Sequence, residues 1–487
     1  MLKKVAFHNL GCKVNSYELE FVQQRFTEND FRIVPFDQKA DIYVVNTCTV
    51  TNIADRKSRQ MLHKTKTLNP DAIVVAMGCY VETGKVEAAK DLGIDVLIGN
   101  NEKGHAFEII MEHVKALEAN NEKAAKTDET AKASDEDLLK RIDHIEDIDK
   151  VRDYDEFKLG FTTEHTRVHV KIQDGCNQFC SYCAIPLARG RVRSRKIEDI
   201  VAEVKGLSNK GYKEFVLTGI HLSSYGMENY NLEMTNNGDA KRNMTDSDCN
   251  DMGFSEYENA KLIDAIEAVA RIEDVKRIRL GSLEPRIITD EFLKRLVDTG
   301  KICPHFHLSL QSGSDSVLKR MNRRYTAKEF FEKAELIRSY FEHPGITTDV
   351  IAGFPGETEE EFIETREYME KVDFYEAHIF KYSRRKGTVA DKLPGQLTDK
   401  EKSVRSEKLI TDANIRSKRF REYYIGKKVE VLFEEPIRID GEEYLTGYSR
   451  EYVKVAFKSS DSSMINNIYE MRVTGFISDE LMEVTVN

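Results

Sequence analysis

Three things are scarce in this chain, and each scarcity narrows what it can be. No apolar run approaches the roughly 20 residues that cross a bilayer. The first apolar patch, residues 5–7 behind Lys3 and Lys4, is also too short for the core of a secretion signal. The expectation is therefore a cytoplasmic protein with no membrane partner. Cysteine is sparse as well, eight in 487 residues. In a reducing compartment so few thiols read as metal ligands or catalytic groups rather than as a disulfide framework. Positive charge is in deficit too: 73 Lys and Arg face 84 Asp and Glu, a net −11 that argues against a nucleic-acid partner. The distribution reverses that argument. Residues 113–160 carry a net −5 and residues 228–258 a net −6, which together are the whole excess. What remains is neutral and holds concentrated basic runs.

With 40% hydrophobic and 32% charged residues the chain is globular in composition, and 487 residues exceed a single core. Residues 1–112 alternate short apolar strands, near 4–9, 42–46, 73–77 and 96–98, with amphipathic helical stretches. That rhythm predicts a doubly wound parallel sheet. Residues 113–160 read as an acidic insertion. A second βα series fills 161–418, with strands near 168–173, 214–219, 277–281, 305–311, 347–352 and 377–380, and predicts a partial (β/α)6 barrel. A second acidic insertion interrupts it at 227–258. Both insertions are rich in Asn, Asp, Lys and Glu and are expected to be flexible surface loops. From 419 to 487 the text turns to two-residue alternation, as in Val429-Glu430-Val431, which predicts a small all-β barrel. The fold class is α/β with an all-β C-terminal module.

The strongest local signal is Cys176-Asn177-Gln178-Phe179-Cys180-Ser181-Tyr182-Cys183, just past the first strand of the barrel. Three thiolates on one loop can hold three irons of a [4Fe–4S] cube and leave the fourth without a protein ligand. An open metal position can bind a small molecule. A structural zinc would want a fourth Cys or His in the loop, and none closely follows Cys183. The spacing and position resemble the radical S-adenosylmethionine (SAM) superfamily. That resemblance implies a catalytic cluster on Cys176, Cys180 and Cys183 with SAM at its open iron, and Tyr182 against the SAM adenine.

Cys12, Cys48 and Cys79 lie far apart in sequence, yet each directly follows a parallel strand. The carboxyl ends of such strands share one edge of a doubly wound sheet. Any one of these cysteines can be a small buried hydrophobe; three at equivalent strand ends can also converge on a metal. The phrases Leu10-Gly11-Cys12-Lys13-Val14-Asn15-Ser16-Tyr17-Glu18 and Val45-Asn46-Thr47-Cys48-Thr49-Val50-Thr51 resemble the methylthiotransferase family. Together with the runs 188–195 and 218–222 they look most like its tRNA N6-threonylcarbamoyladenosine branch. The resemblance implies an N-terminal methylthiotransferase domain, a radical SAM barrel and a C-terminal TRAM module that binds RNA. It further implies a second [4Fe–4S] cluster on Cys12, Cys48 and Cys79, and SAM as both methyl donor and radical source. The implied product is the 2-methylthio derivative of the modified adenosine beside the anticodon. The implied partners are tRNA, a flavodoxin- or ferredoxin-like electron donor and a sulfur donor.

Arg189, Arg191, Arg193 and Arg195 form a basic run after the cluster loop. Their alternate spacing would put them on one face of an extended segment, where they are expected to meet RNA phosphate. Arg384 and Arg385, after the sixth barrel strand, carry the same expectation. Glu284 and Gln311 fall where the resemblance places the wall of the SAM pocket. Cys249 and Cys303 have no partner pattern. Two other readings stay open: the same chemistry on isopentenyladenosine or on a ribosomal protein, and a non-catalytic iron–sulfur protein that binds RNA.

Overall fold

A computed structural model describes residues 4–90, 93–124, 141, 144–162, 166–227 and 262–486. The N-terminal unit is a parallel sheet in the order β2-β1-β3-β4-β5, with β1 Lys4–Asn9, β2 Arg32–Val34, β3 Ile42–Thr47, β4 Ile73–Gly78 and β5 Val96–Ile98. The central strands β3 and β4 are buried at every residue, as strands covered on both faces must be. Helices Lys13–Glu28 and Ala106–Ala124 cover one face through Leu19, Val22, Phe26, Ile109 and Ile110. Helix Asn52–Leu68 covers the other through Leu62 and starts where the Thr51 hydroxyl accepts the Ala54 N–H. The short edge strand β2 matches no strand predicted from the sequence: only Val34 of its three residues is buried, so it lacks the continuous apolar run that marks β5.

The central unit runs β6 Arg167–Asp174, β8 Glu214–Gly219, β9 Arg277–Leu280, β10 His305–Gln311, β11 Gly345–Ala352 and β12 Glu376–Lys381, with a two-residue antiparallel strand, β7 Arg193–Ser194, beside β6. The six long strands are parallel. Between β9 and β10 the ladder thins to two parallel bridges, Ile278 to Ile302 and Leu283 to Leu308. Val168, Val170, Ile172, Phe215, Leu217, Ile278, Leu280, Phe306, Leu308 and Leu310 join the core under the helices. Since successive side chains in a strand point to opposite faces, the intervening positions line the concave face. Most of those positions are polar, among them Gln173, Glu214, Arg277, Arg279, His305, His307, Gln311, Asp349 and His378, with Val216, Ile351 and Phe380 as apolar exceptions. After the long helix Asp399–Glu422 the chain forms a closed five-stranded barrel, β13-β14-β15-β17-β16, from β13 Lys428–Ile439, β14 Glu442–Ser449, β15 Lys454–Lys458, β16 Ile468–Ser478 and β17 Leu481–Thr485.

Two buried charge clusters lock the units together. Glu18 on the first helix accepts from Lys103 at 2.6 Å, Lys171 at 2.7 Å and Arg189 at 2.8 Å, and Asp174 holds the far side of Lys171 and Arg189 at 2.7 and 3.1 Å. Glu214 receives Arg279 at 2.8 Å and Arg277 at 3.4 Å, while the two guanidiniums also donate into the C-terminal barrel at Glu430, Tyr448 and Ser449. The expectation of a solvated loop across 113–160 fails for its described part. Helix Ala106–Ala124 enters it, and Ile145, Ile148, Phe157 and Leu159 are buried, with Phe157 packed on Tyr17 and Phe21. Scattered apolar residues in an acidic text were enough to anchor it. Nearly all of the second insertion lies outside the described residues.

The three guanidiniums Arg279, Arg167 and Arg277 hold the buried Glu214 carboxyl down at about 2, against its burial. A carboxyl depressed in the folded state stabilises fully above its unfolded value near 4.5 and loses that contribution as pH falls toward 2. The wild-type melting temperature is therefore expected to drop between pH 4.5 and 2 in part through this group. Glu214→Gln, which strands two buried cations, is expected to cost about 3–5 kcal/mol at neutral pH. Thermal unfolding of both proteins across that range checks this; a Gln variant as stable as wild type at pH 7 would remove the cluster from the account of domain docking.

Candidate functional site

The loop after β6 is shaped by its backbone before its cysteines. Gly175 has φ +69°, and a Cβ there would lie 1.8 Å from the Arg191 carbonyl oxygen, so only glycine lets the loop fold back. The Cys176 N–H then reaches the Gly190 carbonyl, and the Ser181 N–H reaches the Met321 carbonyl, pinning both ends of the motif. Each sulfur has an N–H aimed at it: Gln178 to Cys176 at 3.4 Å, Ile185 to Cys183 at 3.4 Å, and the Arg323 guanidinium to Cys180 at 3.2 Å. Burial pushes the Cys183 thiol up to about 12 and Cys176 well above its ordinary value, and the neighbouring sulfurs repel further. A positively charged metal core relieves both penalties at once. Four thiolates on one zinc would stand roughly 3.8 Å apart. Among the described residues, no cysteine trio draws all its sulfurs within 4.8 Å of one another. A cavity of about 150 Å³ opens beside Cys180 and Cys183, lined by Phe179, Leu187, Arg191 and Thr388.

The second trio sits at the carboxyl ends of three adjacent strands, β1, β3 and β4. Gly11 (φ +119°) brings the chain so close that a Cβ there would meet the Cys48 sulfur at 3.2 Å. Burial raises the Cys48 thiol to about 11, with Cys79 and then Cys12 adding repulsion, so the three groups share one site. The Asn100 amide donates to the Cys79 sulfur at 3.5 Å and to the Ala188 carbonyl at 2.6 Å. It thereby ties this trio to the segment just after Cys183. On the other flank Arg385, past β12, donates to Thr49 and Asn52 beside Cys48. Both trios have a donor set suited to iron–sulfur clusters, and neither has a fourth cysteine at hand among the described residues. Cys303 is buried apart from both, and Cys249 lies outside the described residues.

Most of the arginines expected at an RNA surface are elsewhere. Arg189, Arg193 and Arg195 are buried to 0, 2 and 1% exposure, held by Glu18 and Asp174, by Asp174, and by Glu203 with Glu156. Their run is not one extended face, because Arg189 ends the helix Ile185–Arg189 while Arg193 pairs in β7. Arg385 is likewise consumed by Asp55, Asn52 and Thr49. These four are corrected from phosphate contacts to internal ion pairs: Arg189, Arg193 and Arg195 are too deeply buried to reach a phosphate, and Arg385, 8% exposed, spends its donors on Asp55, Asn52 and Thr49. Arg191 lies over the Phe179 ring at the cluster-side cavity, and Arg384 stays exposed with Asp391 at 2.6 Å.

Glu284 is buried, its backbone N–H held by the Ser223 hydroxyl at 2.8 Å and its carboxylate 3.6 Å from His221. Burial lowers the His221 pKa, so that imidazole is neutral at pH 7. Gln311 takes φ +73° at a bulge closing β10. Tyr182 packs with Phe354, Tyr382 and Met321 under the loop. Two contributors carry no sequence signal: Arg323, which follows a short helix with no motif, and Asn100, one asparagine in a loop.

Residues 170–369 match the radical SAM superfamily, and residues 4–99 match the uncharacterized protein family UPF0004. The chain is 36% identical over 470 residues to the threonylcarbamoyladenosine tRNA methylthiotransferase MtaB of Bacillus subtilis, covering 96% of this chain and 93% of that one. It is also 36% identical to the protein of that name from Aquifex aeolicus, over 91% and 95% of the two chains. Identity to the tRNA-2-methylthio-N(6)-dimethylallyladenosine synthase of a Thermoanaerobacter species is 34%, over 97% and 91%. Among solved structures the radical S-adenosylmethionine methyltransferase TsrM of Kitasatospora setae shares the fold, with a TM-score of 0.52 at 15% identity over 79% of this chain and 76% of that one.

The Arg323 contact generates a test. Removing a cationic donor from a ligating sulfur disfavours the reduced, more negative state of a cluster. Arg323→Leu is expected to lower the potential of a cluster held through Cys180 by about 20–100 mV, read by redox titration of its EPR signal; an unchanged potential would deny the guanidinium that role.

Proposed function

The chain belongs to the tRNA methylthiotransferases of the radical SAM superfamily, and on that premise we propose that it converts N6-threonylcarbamoyladenosine in tRNA to the 2-methylthio derivative. The superfamily works with a [4Fe–4S] cluster and SAM. Cys176, Cys180 and Cys183 would hold that cluster; Tyr182, Glu284 and Gln311 would border SAM. Cys12, Cys48 and Cys79 would hold a second cluster. Bound there, cluster and SAM supply one-electron chemistry able to take a hydrogen from an aromatic carbon that offers ordinary bases no acidic proton.

The protein's part is placement. The Asn100 bond to Ala188 and the Arg385 bond to Thr49 tie the segments that carry the two cysteine trios together, which supports a reading in which a base held between them would face both. Neutral His221, fixed by Ser224 and by its own backbone N–H to the Gln173 amide oxygen, stands 3.6 Å from the buried Glu284 carboxylate, a negative charge that would suit an ammonium group such as that of SAM. The observation that carries the substrate choice is the near-full-length likeness, at 36% identity, to relatives named as threonylcarbamoyladenosine tRNA methylthiotransferases. Arg191, Arg384 and the tyrosines of the C-terminal TRAM-like barrel are the remaining RNA candidates. A flavodoxin- or ferredoxin-like electron donor and a sulfur donor complete the reading.

The enzyme, reconstituted without oxygen and given SAM, reductant and tRNA bearing N6-threonylcarbamoyladenosine, is expected to yield the 2-methylthio nucleoside by mass spectrometry. Cys176→Ala is expected to abolish both SAM cleavage and product. Cys48→Ala is expected to keep SAM cleavage and lose product. Methylthiolation of dimethylallyladenosine but not of this nucleoside would overturn the substrate assignment alone, and SAM left intact by loaded enzyme would overturn the chemistry.

A further inference from the structure

We propose that His307, Asp349 and His378 form a binding site for a single divalent transition-metal ion, separate from both cysteine trios, on the concave wall of the barrel. The three come from neighbouring parallel strands. Asp349 on β11 is the direct register partner of His378 on β12, and His307 on β10 is two residues from the register partner of Asp349, so all three side chains share one face. One ligand atom from each lies within 4.8 Å of the others, the only such group among the described residues. His307 Nε2 stands 3.2 Å from Asp349 Oδ2, and the two imidazole rings are 5.7 Å apart at 31°. Tetrahedral donors at zinc-nitrogen bond lengths stand roughly 3.3 Å apart, so ordinary side-chain rotation closes the remaining distance.

The surroundings are those of a metal ligand. His307 Nδ1 meets the Thr347 hydroxyl at 3.0 Å, which orients the ring so that Nε2 points at Asp349. An outer hydrogen bond of this kind fixes both tautomer and direction in metal-binding histidines. His307 and Asp349 alone make an ordinary ion pair; His378, exposed and with its ring facing that of His307, adds a third donor open to an incoming ion. His378 also lines a cavity of about 650 Å³ between β12, the Asp399–Glu422 helix and the C-terminal barrel, which gives an ion a way in. Two imidazoles and one carboxylate select zinc or iron(II) over the oxygen-seeking calcium and magnesium. Three protein donors leave open coordination toward the cavity.

The test uses cluster-loaded enzyme equilibrated with Zn2+ and passed through a desalting column, with zinc and iron counted by elemental mass spectrometry. Wild type is expected to retain one zinc per chain, with nitrogen and oxygen but no sulfur neighbours by X-ray absorption. His378→Ala and Asp349→Asn are expected to weaken zinc binding more than tenfold with iron content unchanged. No retained zinc in wild type, sulfur-ligated zinc, or equally tight zinc in both variants would overturn the site. None of these readouts depends on methylthiolation, so failure here and failure of the proposed function are separable.

Discussion

Burial of one carboxylate, Glu18, is the constraint on which the rest of the arrangement depends. It sits on the helix that leaves Cys12, and its three cations come from the N-terminal unit and from the barrel. A carboxylate with no exposed surface is tolerable only if every lone pair is met, and Lys103, Lys171 and Arg189 meet them only when the two units are docked in one register. The cations in turn hold Glu18 well below the usual carboxylate range, against the strong effect of burial. Arg189 ends the short helix that follows Cys183, so the same contact sets both the cluster loop and the edge bearing Cys79. Positive charge exceeds negative in this network, which places a favourable field beside thiolates.

The barrel divides its labour by a two-residue period. Outward positions are apolar and build the core under the helices; inward positions are mostly polar and build a chamber. This one periodicity therefore supplies both stability and a surface able to receive a polar nucleoside. The thin junction between β9 and β10 comes where the chain reinforces it with Arg277 and Arg279, whose outer ends grip the C-terminal barrel.

Much of this was legible before any coordinates. Strands showed themselves by apolar runs, and the three-unit division followed the change of period near residue 420. The CxxxCxxC spacing is local and so readable, and Cys12, Cys48 and Cys79 could be set at one edge because parallel strands share their carboxyl ends. What escaped has a common cause: a side chain's partner is invisible when it is distant. Arg189, Arg193 and Arg195 read as free charge because Glu18 lies 171 residues from Arg189. Phe157 read as part of a loop because its partners, Tyr17 and Phe21, lie on the first helix. His307, Asp349 and His378 come together only through strand register, which no single-strand pattern reveals.

The C-terminal barrel is bolted to the chamber rather than strung on a flexible tether, since Glu214, Arg277 and Arg279 make its seat part of the core. A rigid seat turns length into information. Where an RNA is gripped by that barrel, the number of nucleotides that can span the gap to the cysteine loops is set by the protein, as on a ruler.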